Sequence, residues 1–79
     1  MKLEYTTLQG QYLAFIYYYQ KLNNRAPAHL DFLKYFQSNP ASVNEMLNTL
    51  ERKSFITRKK GETRSIKLLL SREELPELN

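Results

Sequence analysis

The sequence predicts a small domain of the α+β class, mainly α, with three helices followed by a C-terminal β-hairpin. Three segments repeat apolar residues at helical spacing, two short β-prone runs flank a glycine turn, and a length of 79 residues leaves room for one domain. We assign residues 1–70 to this domain. Residues 71–79 form an acidic tail that we expect to be loosely ordered.

The composition indicates a domain that is stabilised by apolar burial alone. The chain contains no cysteine, which excludes disulfides and thiolate metal sites, and 42% of its residues are hydrophobic. No apolar run approaches the roughly 18 to 20 residues of a membrane span, and the N-terminus lacks a signal-peptide pattern. We therefore expect a cytoplasmic protein with no membrane partner, metal, cofactor or small-molecule ligand.

The first helix is predicted to begin just after Thr6. Thr6 and Gln9 form a capping-box pattern, in which the side chain of each residue bonds the main-chain N–H of the other. Apolar residues then recur at intervals of 4, 3, 1 and 3, which places them on one face of the helix. They are Leu8, Tyr12, Phe15, Ile16 and Tyr19.

The second helix is shorter and follows an extended link. Pro27 biases Ala26 away from helical geometry, and the segment AHLDFLKYFQS then predicts about two to three helical turns. Asp31 in the first turn suits the helix dipole. His29, the only histidine, has no second ligand or nucleophile at a useful spacing, so we interpret it as a surface residue.

The third helix has the clearest sequence signals. Asn39 is a favoured N-cap, and Pro40 stands at the first helical position, where its missing N–H costs nothing. Val43, Leu47 and Leu50 follow at i, i+4 and i+7 and predict the buried stripe. The opposite side carries mostly small and amide side chains, which fits a surface that approaches a partner closely. It comprises Ala41, Ser42, Asn44, Glu45 and Asn48.

Basic residues are concentrated in the hairpin and at the end of the third helix. Residues 52–67 contain seven bases and one acid, a local charge of +6 in a chain whose net charge is +4. A block that holds the whole surplus indicates a polyanion partner, usually nucleic acid, although a solvated turn is the simpler alternative. The turn KKGE, where Gly61 can adopt a positive φ, joins strands predicted at 55–59 and 63–70.

The predicted order of elements describes a winged helix-turn-helix, because two helices joined by a tight turn are followed at once by a hairpin. The chain also resembles the DNA-binding domain of the LexA repressor family over roughly residues 3–70. The stretches TTLQGQYLAFI, APAHLDFLKYF, NPASVNEMLNTLERKSFI and RSIKL carry this resemblance. It departs from the family pattern at Gln37 and Ser54, which stand where glycine is usual. No self-cleaving protease domain is expected in 79 residues.

The resemblance implies sequence-specific binding of double-stranded DNA by a small, repressor-like transcription regulator. Helix 39–53 would lie in the major groove, and the wing, residues 56–67, would contact the backbone. The resemblance maps base reading onto Asn39, Ala41, Ser42, Asn44 and Glu45, and the exposed face extends it to Asn48. The bases expected to bind the DNA backbone are Arg52, Lys53, Arg58, Lys59, Lys60 and Arg64.

Other functions and assemblies stay open at this point. The same helix face and hairpin would suit a winged-helix module that binds an acidic partner protein. An enzyme is not expected, since the chain lacks cysteine, a glycine-rich phosphate loop and carboxylates placed for acid–base chemistry. Because one recognition helix reads few base pairs, we expect weak homodimerisation on DNA. Leu69, Leu75 and Leu78 would either form that interface or close the core.

Overall fold

Three helices and a two-stranded antiparallel hairpin make up residues 4–79, the part of the chain that the computed structural model describes. The elements are α1 (Thr7–Asn23), α2 (His29–Phe36), α3 (Pro40–Arg52), β1 (Ile56–Thr57), β2 (Lys67–Leu68) and a short 3-10 helix (Arg72–Glu74). The prediction of a small, mainly helical α+β fold is confirmed. The first three residues of the predicted domain 1–70 lie outside the described residues.

Side-chain caps begin α1 and α3 at the predicted residues. The Gln9 N–H donates to the Thr6 hydroxyl at 3.1 Å, and the Thr6 N–H donates to the Gln9 side-chain oxygen at 3.0 Å, which completes the capping box. At α3, the Ser42 N–H donates to the Asn39 side-chain oxygen at 2.9 Å. Each cap satisfies main-chain donors that have no partner inside the helix.

Two non-glycine residues adopt left-handed backbone geometry at the ends of α2 and α3. Gln37 has a φ of 49° and Ser54 a φ of 63°. These are the two positions at which the sequence departs from the glycines of the LexA family pattern. The backbone therefore takes the conformation that glycine favours, at a cost of about 1 kcal/mol for each side chain.

The core lies where the three helices and the hairpin meet. The predicted stripe of α3, Val43, Leu47 and Leu50, is fully buried, and Ile56 and Ile66 cover it from the hairpin. This packing holds the hairpin against α3. Within residues 4–79, no helix combines the length and the apolar character that crossing a membrane requires.

Aromatic rings fill the space between α1 and α2. The Phe32 ring is fully buried, with its centroid 5.3 Å from that of Tyr12 and 5.1 Å from that of Phe15. Burial raises the pKa of the Tyr12 phenol. Leu8 does not lie on the buried face as predicted: its side chain is 51% exposed, because it precedes the part of α1 that α2 covers.

The hairpin has much shorter strands than predicted. Ile56 pairs with Leu68 and Thr57 with Lys67, and residues 58–66 form a loop. Arg64 has a φ of 55°, which is incompatible with an extended strand. The predicted strands at 55–59 and 63–70 are therefore wrong in length, although the hairpin itself is present.

The Ser65 side chain holds the hairpin loop. Its hydroxyl accepts from the Lys59 N–H at 2.9 Å and lies 3.0 Å from the Glu62 carbonyl oxygen. Gly61 has a φ of 80° at the turn. The loop thus has a defined shape without strand pairing, because side-chain bonds replace the ladder.

The acidic tail packs against α1, so the expectation that it is loosely ordered is wrong. The Tyr5 hydroxyl donates to the Glu74 carbonyl at 2.8 Å. The Gln11 amide donates to the Glu77 carbonyl at 2.8 Å, and its oxygen accepts from the Asn79 N–H at 2.7 Å. These bonds fasten the middle of the segment to Tyr5, which precedes α1, and its C-terminal end to Gln11 in the N-terminal half of α1.

Small residues and leucines complete the contact between α1 and the tail. A Cβ at Gly10 would lie 2.8 Å from the Tyr5 ring and 3.0 Å from Pro76, so glycine is needed for this close approach. Leu75 is buried and Leu78 packs against the core, whereas Leu69 is 47% exposed. Leu75 therefore helps to close the core and Leu78 packs against it, while a dimer interface that uses these leucines stays a prediction.

Candidate nucleic-acid interface

The side chains that were predicted to read bases all lie on the exposed side of α3 or at its start. They are Asn39, Ala41, Ser42, Asn44, Glu45 and Asn48. Ala41 and Ser42 leave the N-terminal turn of α3 with little side-chain bulk. This face is therefore accessible along its whole length, while the opposite face of α3 is buried in the core.

An open cleft of about 630 Å³ separates α3 from the hairpin loop. Asn44 and Asn48 line it from α3, and Lys59 and Lys60 line it from the loop. The link from α1 to α2 closes one end, and His29 contributes to this end as an exposed residue. The cleft brings together four bases and two acids: Arg58, Lys59, Lys60, Arg64, Glu51 and Glu62.

Four of the predicted base-reading residues do not line this cleft. They are Asn39, Ala41, Ser42 and Glu45. They lie nearer the start of α3 or further around its exposed side. The amide face that was predicted as one surface is therefore divided, and only Asn44 and Asn48 stand opposite the hairpin.

Arg58 joins the hairpin to α3. Its guanidinium lies 3.1 Å from the Glu51 carboxylate and donates to the Asn48 side-chain oxygen at 2.5 Å. A guanidinium only donates, so Asn48 must turn its oxygen toward Arg58. Within residues 4–79 the amide N–H groups of Asn48 have no partner of their own, and they remain available to an acceptor.

Arg64 anchors the hairpin loop to the other two helices. Its Nη1 lies 3.1 Å from both the Tyr19 hydroxyl and the Ala26 carbonyl oxygen, and 3.2 Å from the Asp31 carboxylate. The hydrogen bond with Tyr19, supported by the Asp31 charge, raises the pKa of Arg64. Asp31 also accepts from the Ala28 N–H at 2.7 Å and so caps α2.

The contacts of Arg64 were not visible in the sequence. Tyr19 and Asp31 lie 45 and 33 residues from Arg64 in the chain, and no local pattern links them to it. The predicted phosphate contact by Arg64 stays a prediction. In this structure its guanidinium is directed toward the protein, which gives it a role in positioning the loop.

The two bases that end α3 also contact the protein. The Lys53 ammonium donates to the Glu4 carbonyl at 2.8 Å and lies 3.4 Å from the Gln9 side-chain oxygen. Arg52 donates to the Thr49 hydroxyl at 3.1 Å. Both bases are exposed, so water and counterions compete with these contacts.

Lys59 and Lys60 stand apart from the other predicted backbone-binding residues. Both side chains are exposed and line the cleft. Neither forms a hydrogen bond or ion pair with its side chain in the described part of the chain. The tip of the hairpin thus presents two ammonium groups on an ordered loop, opposite the amides of α3.

No model of a known protein family matches the chain, and a search of curated proteins finds no significant match. The resemblance to the LexA family accordingly stays an expectation from the sequence.

In residues 4–79, no three His, Asp or Glu side chains come together in a group that could hold a metal ion.

Proposed function

We propose that the chain is a winged helix-turn-helix module that binds double-stranded DNA sequence-specifically and acts as a small transcription regulator. The cleft in which Asn44 and Asn48 stand opposite Lys59 and Lys60 is the observation that carries this proposal. Recognition of duplex DNA needs both kinds of group on one surface, because amides read base edges and cations bind phosphates.

In this proposal, α3 enters the major groove. Its 13 residues make a rod of about 20 Å, and the roughly 12 Å width of the groove admits a helix. Small residues at Ala41 and Ser42 allow close approach to the bases. Asn44 would pair with adenine, and Glu45 would accept from the cytosine amino group. Asn48 would donate to a base acceptor with the amide N–H groups that Arg58 leaves free.

The hairpin acts as the wing, with its bases divided between two tasks. Arg58 and Arg64 hold the wing to the helices, and Lys59 and Lys60 contact phosphates. A module of this size reads few base pairs, so two copies on a palindromic site would provide the specificity of a repressor-like regulator.

An anisotropy titration with random-sequence duplex DNA tests the proposal. We expect micromolar binding at about 50 mM salt that weakens strongly by about 200 mM. Changing Lys59→Glu together with Lys60→Glu removes two phosphate contacts and adds two repulsive charges. The affinity should then fall by about 100-fold, with an unchanged circular dichroism spectrum.

A matched control separates the effect of the two cleft lysines from the effect of net charge. Lys21→Glu with Lys67→Glu also lowers the net charge from +4 to 0, but neither lysine lines the cleft. DNA affinity should stay within a few fold in this control. An equal loss of DNA affinity in both variants would show that net charge alone causes the effect. No binding to the unmodified protein at low salt would overturn the proposal and favour an acidic partner protein.

A further inference from the structure

A second groove, of about 520 Å³, lies between α1 and β2. We propose that this groove binds an extended segment of a partner protein in which apolar residues alternate with acidic ones, and that the segment joins β2 as a third strand. The residues of the groove that matter for this proposal are Ile16, Tyr17, Lys21, Lys67, Leu68 and Leu70. The groove shares only Ile66 with the lining of the cleft, and the proposal does not depend on DNA binding.

The edge of β2 beside this groove has unpaired main-chain groups. Lys67 pairs with Thr57, and the Leu69 N–H donates to the Phe55 carbonyl at 2.9 Å, so these residues face β1. Because the main-chain direction alternates along a strand, the N–H and C=O of Leu68 point away from β1. Within residues 4–79 they form no hydrogen bond on that side. Such an edge is a template for an added strand.

The groove lies on the open side of the sheet. β2 and its flanks form one wall, and the C-terminal half of α1 forms the other, whereas no residue of β1 lines it. The position matches what an added strand requires, since the strand must run along the edge opposite β1. Alternate side chains of an extended segment point the same way, so every second one would enter the groove.

Apolar side chains form the floor of the groove. Ile16 is buried, and Leu68 and Leu70 are half-buried and pack against the core. The partner's inward-facing residues would therefore be aliphatic, and they would extend the core by covering these side chains. Specificity in this mode of recognition comes from the alternate side chains, and the main-chain bonds supply affinity.

The rim of the groove carries positive charge. Lys21 and Lys67 line it, and no acidic residue does. The Arg72 guanidinium lies 5.7 Å from the Tyr17 ring centroid and 3.8 Å from the Glu77 carboxylate, so it is a third cation near the groove whose charge Glu77 partly offsets. Outward-facing residues of a bound strand would meet these cations, so charge complementarity selects aspartate and glutamate.

The same charges argue against two other occupants. Pairing of two β2 edges from two copies of the chain would bring both sets of Lys21 and Lys67 together, and the like charges would repel. A nucleic acid would satisfy the cations but would supply neither aliphatic side chains nor the peptide groups that the Leu68 main chain needs. An acidic, apolar peptide satisfies all three requirements.

A labelled peptide of about eight residues with alternating glutamate and valine tests the proposal on the intact chain. We expect saturable binding by anisotropy, and NMR shifts centred on the amides of residues 66–70. Lysine in place of glutamate should abolish binding. Methylation of the alternate peptide nitrogens that face β2 should lower affinity at least about tenfold, because it removes main-chain donors and keeps the side chains.

Charge variants of the protein complete the test. Lys21→Glu with Lys67→Glu should lower peptide affinity at least about tenfold, and Lys59→Glu with Lys60→Glu, which makes the same change in net charge, should leave it within a few fold. Equal binding of the methylated peptide, or NMR shifts centred on residues outside both walls of the groove, would overturn the proposal. Two other results would also overturn the proposal. One is a concentration-dependent dimer of the chain that shifts the amides of residues 66–70 without the peptide, and the other is duplex DNA that shifts the same amides when the peptide does not.

Discussion

The two ends of the hairpin loop, next to the strands, and its tip each carry two cationic side chains, but these side chains have different partners. At the two ends, Arg58 and Arg64 donate to side chains of α3 and α2. At the tip, Lys59 and Lys60 have no side-chain partner in the described residues. The planar fork of arginine suits fixed contacts, and the flexible lysine ammonium suits a phosphate at a variable distance. A short basic segment can therefore contain one set of cations that places the loop and another that is available to a ligand.

Replacing Arg64 with methionine should have the largest effect on the free energy of unfolding. The Arg64→Met side chain keeps its apolar length but leaves the Asp31 carboxylate without its cation and the Ala26 carbonyl without a donor. We expect the lowest urea midpoint of the three substitutions that follow from this comparison, measured by circular dichroism. Arg64→Lys should recover only part of the loss, because lysine lacks the fork geometry. An unchanged urea midpoint in Arg64→Met would contradict the role of Arg64 in holding the hairpin loop to the helices.

Replacing Gly61 with alanine should have an intermediate effect, confined to the tip. A Cβ there meets nothing within 4 Å, so only the φ of 80° opposes the substitution, at a cost of about 1 kcal/mol in the free energy of unfolding. Urea titration measures this cost. Gly61→Asn is the control, since asparagine tolerates left-handed geometry better and should lose less. Equal losses in both variants would show that the positive φ is not what requires glycine.

Replacing Arg58 with methionine should have the smallest effect on stability. The Arg58 side chain is 17% exposed, but that of its partner Glu51 is 43% exposed and stays hydrated when the arginine is removed, so loss of the ion pair should cost about 0.5 kcal/mol in urea titrations. The same change frees the Asn48 oxygen. If the DNA-binding proposal holds, Arg58→Met should narrow the gap in affinity between a preferred duplex and random DNA. An undiminished gap would show that Arg58 does not orient Asn48 for base reading.

The starts of α1 and α3 were predictable because their signals are local. Thr6 with Gln9, and Asn39 with Ser42, are three residues apart, and each pair bonds as the sequence pattern requires. The short strands were not predictable, since the loop depends on the left-handed geometry of Arg64. β-prone composition alone indicates extended strands and gives no sign of that geometry.

The sequence predicts which types of residue the candidate site contains, but it does not predict which contacts each basic residue makes. A cluster of bases beside a helix rich in amides is visible in the sequence. The contact between Arg64 and Asp31 joins residues that are 33 apart, and the contact between Arg58 and Asn48 joins residues that are 10 apart. Both arise from tertiary packing, so the sequence shows six equivalent bases where the structure separates them by their partners.

The fold-back of the tail onto α1 has a consequence for synthesis on the ribosome. Tyr5 bonds to Glu74 across 69 residues, and Gln11 bonds to Glu77 across 66. A nascent chain cannot cover this side of its first helix while residues 71–79 are still in the exit tunnel. We therefore expect the tail to cover this side of α1 only after residues 71–79 have left the tunnel.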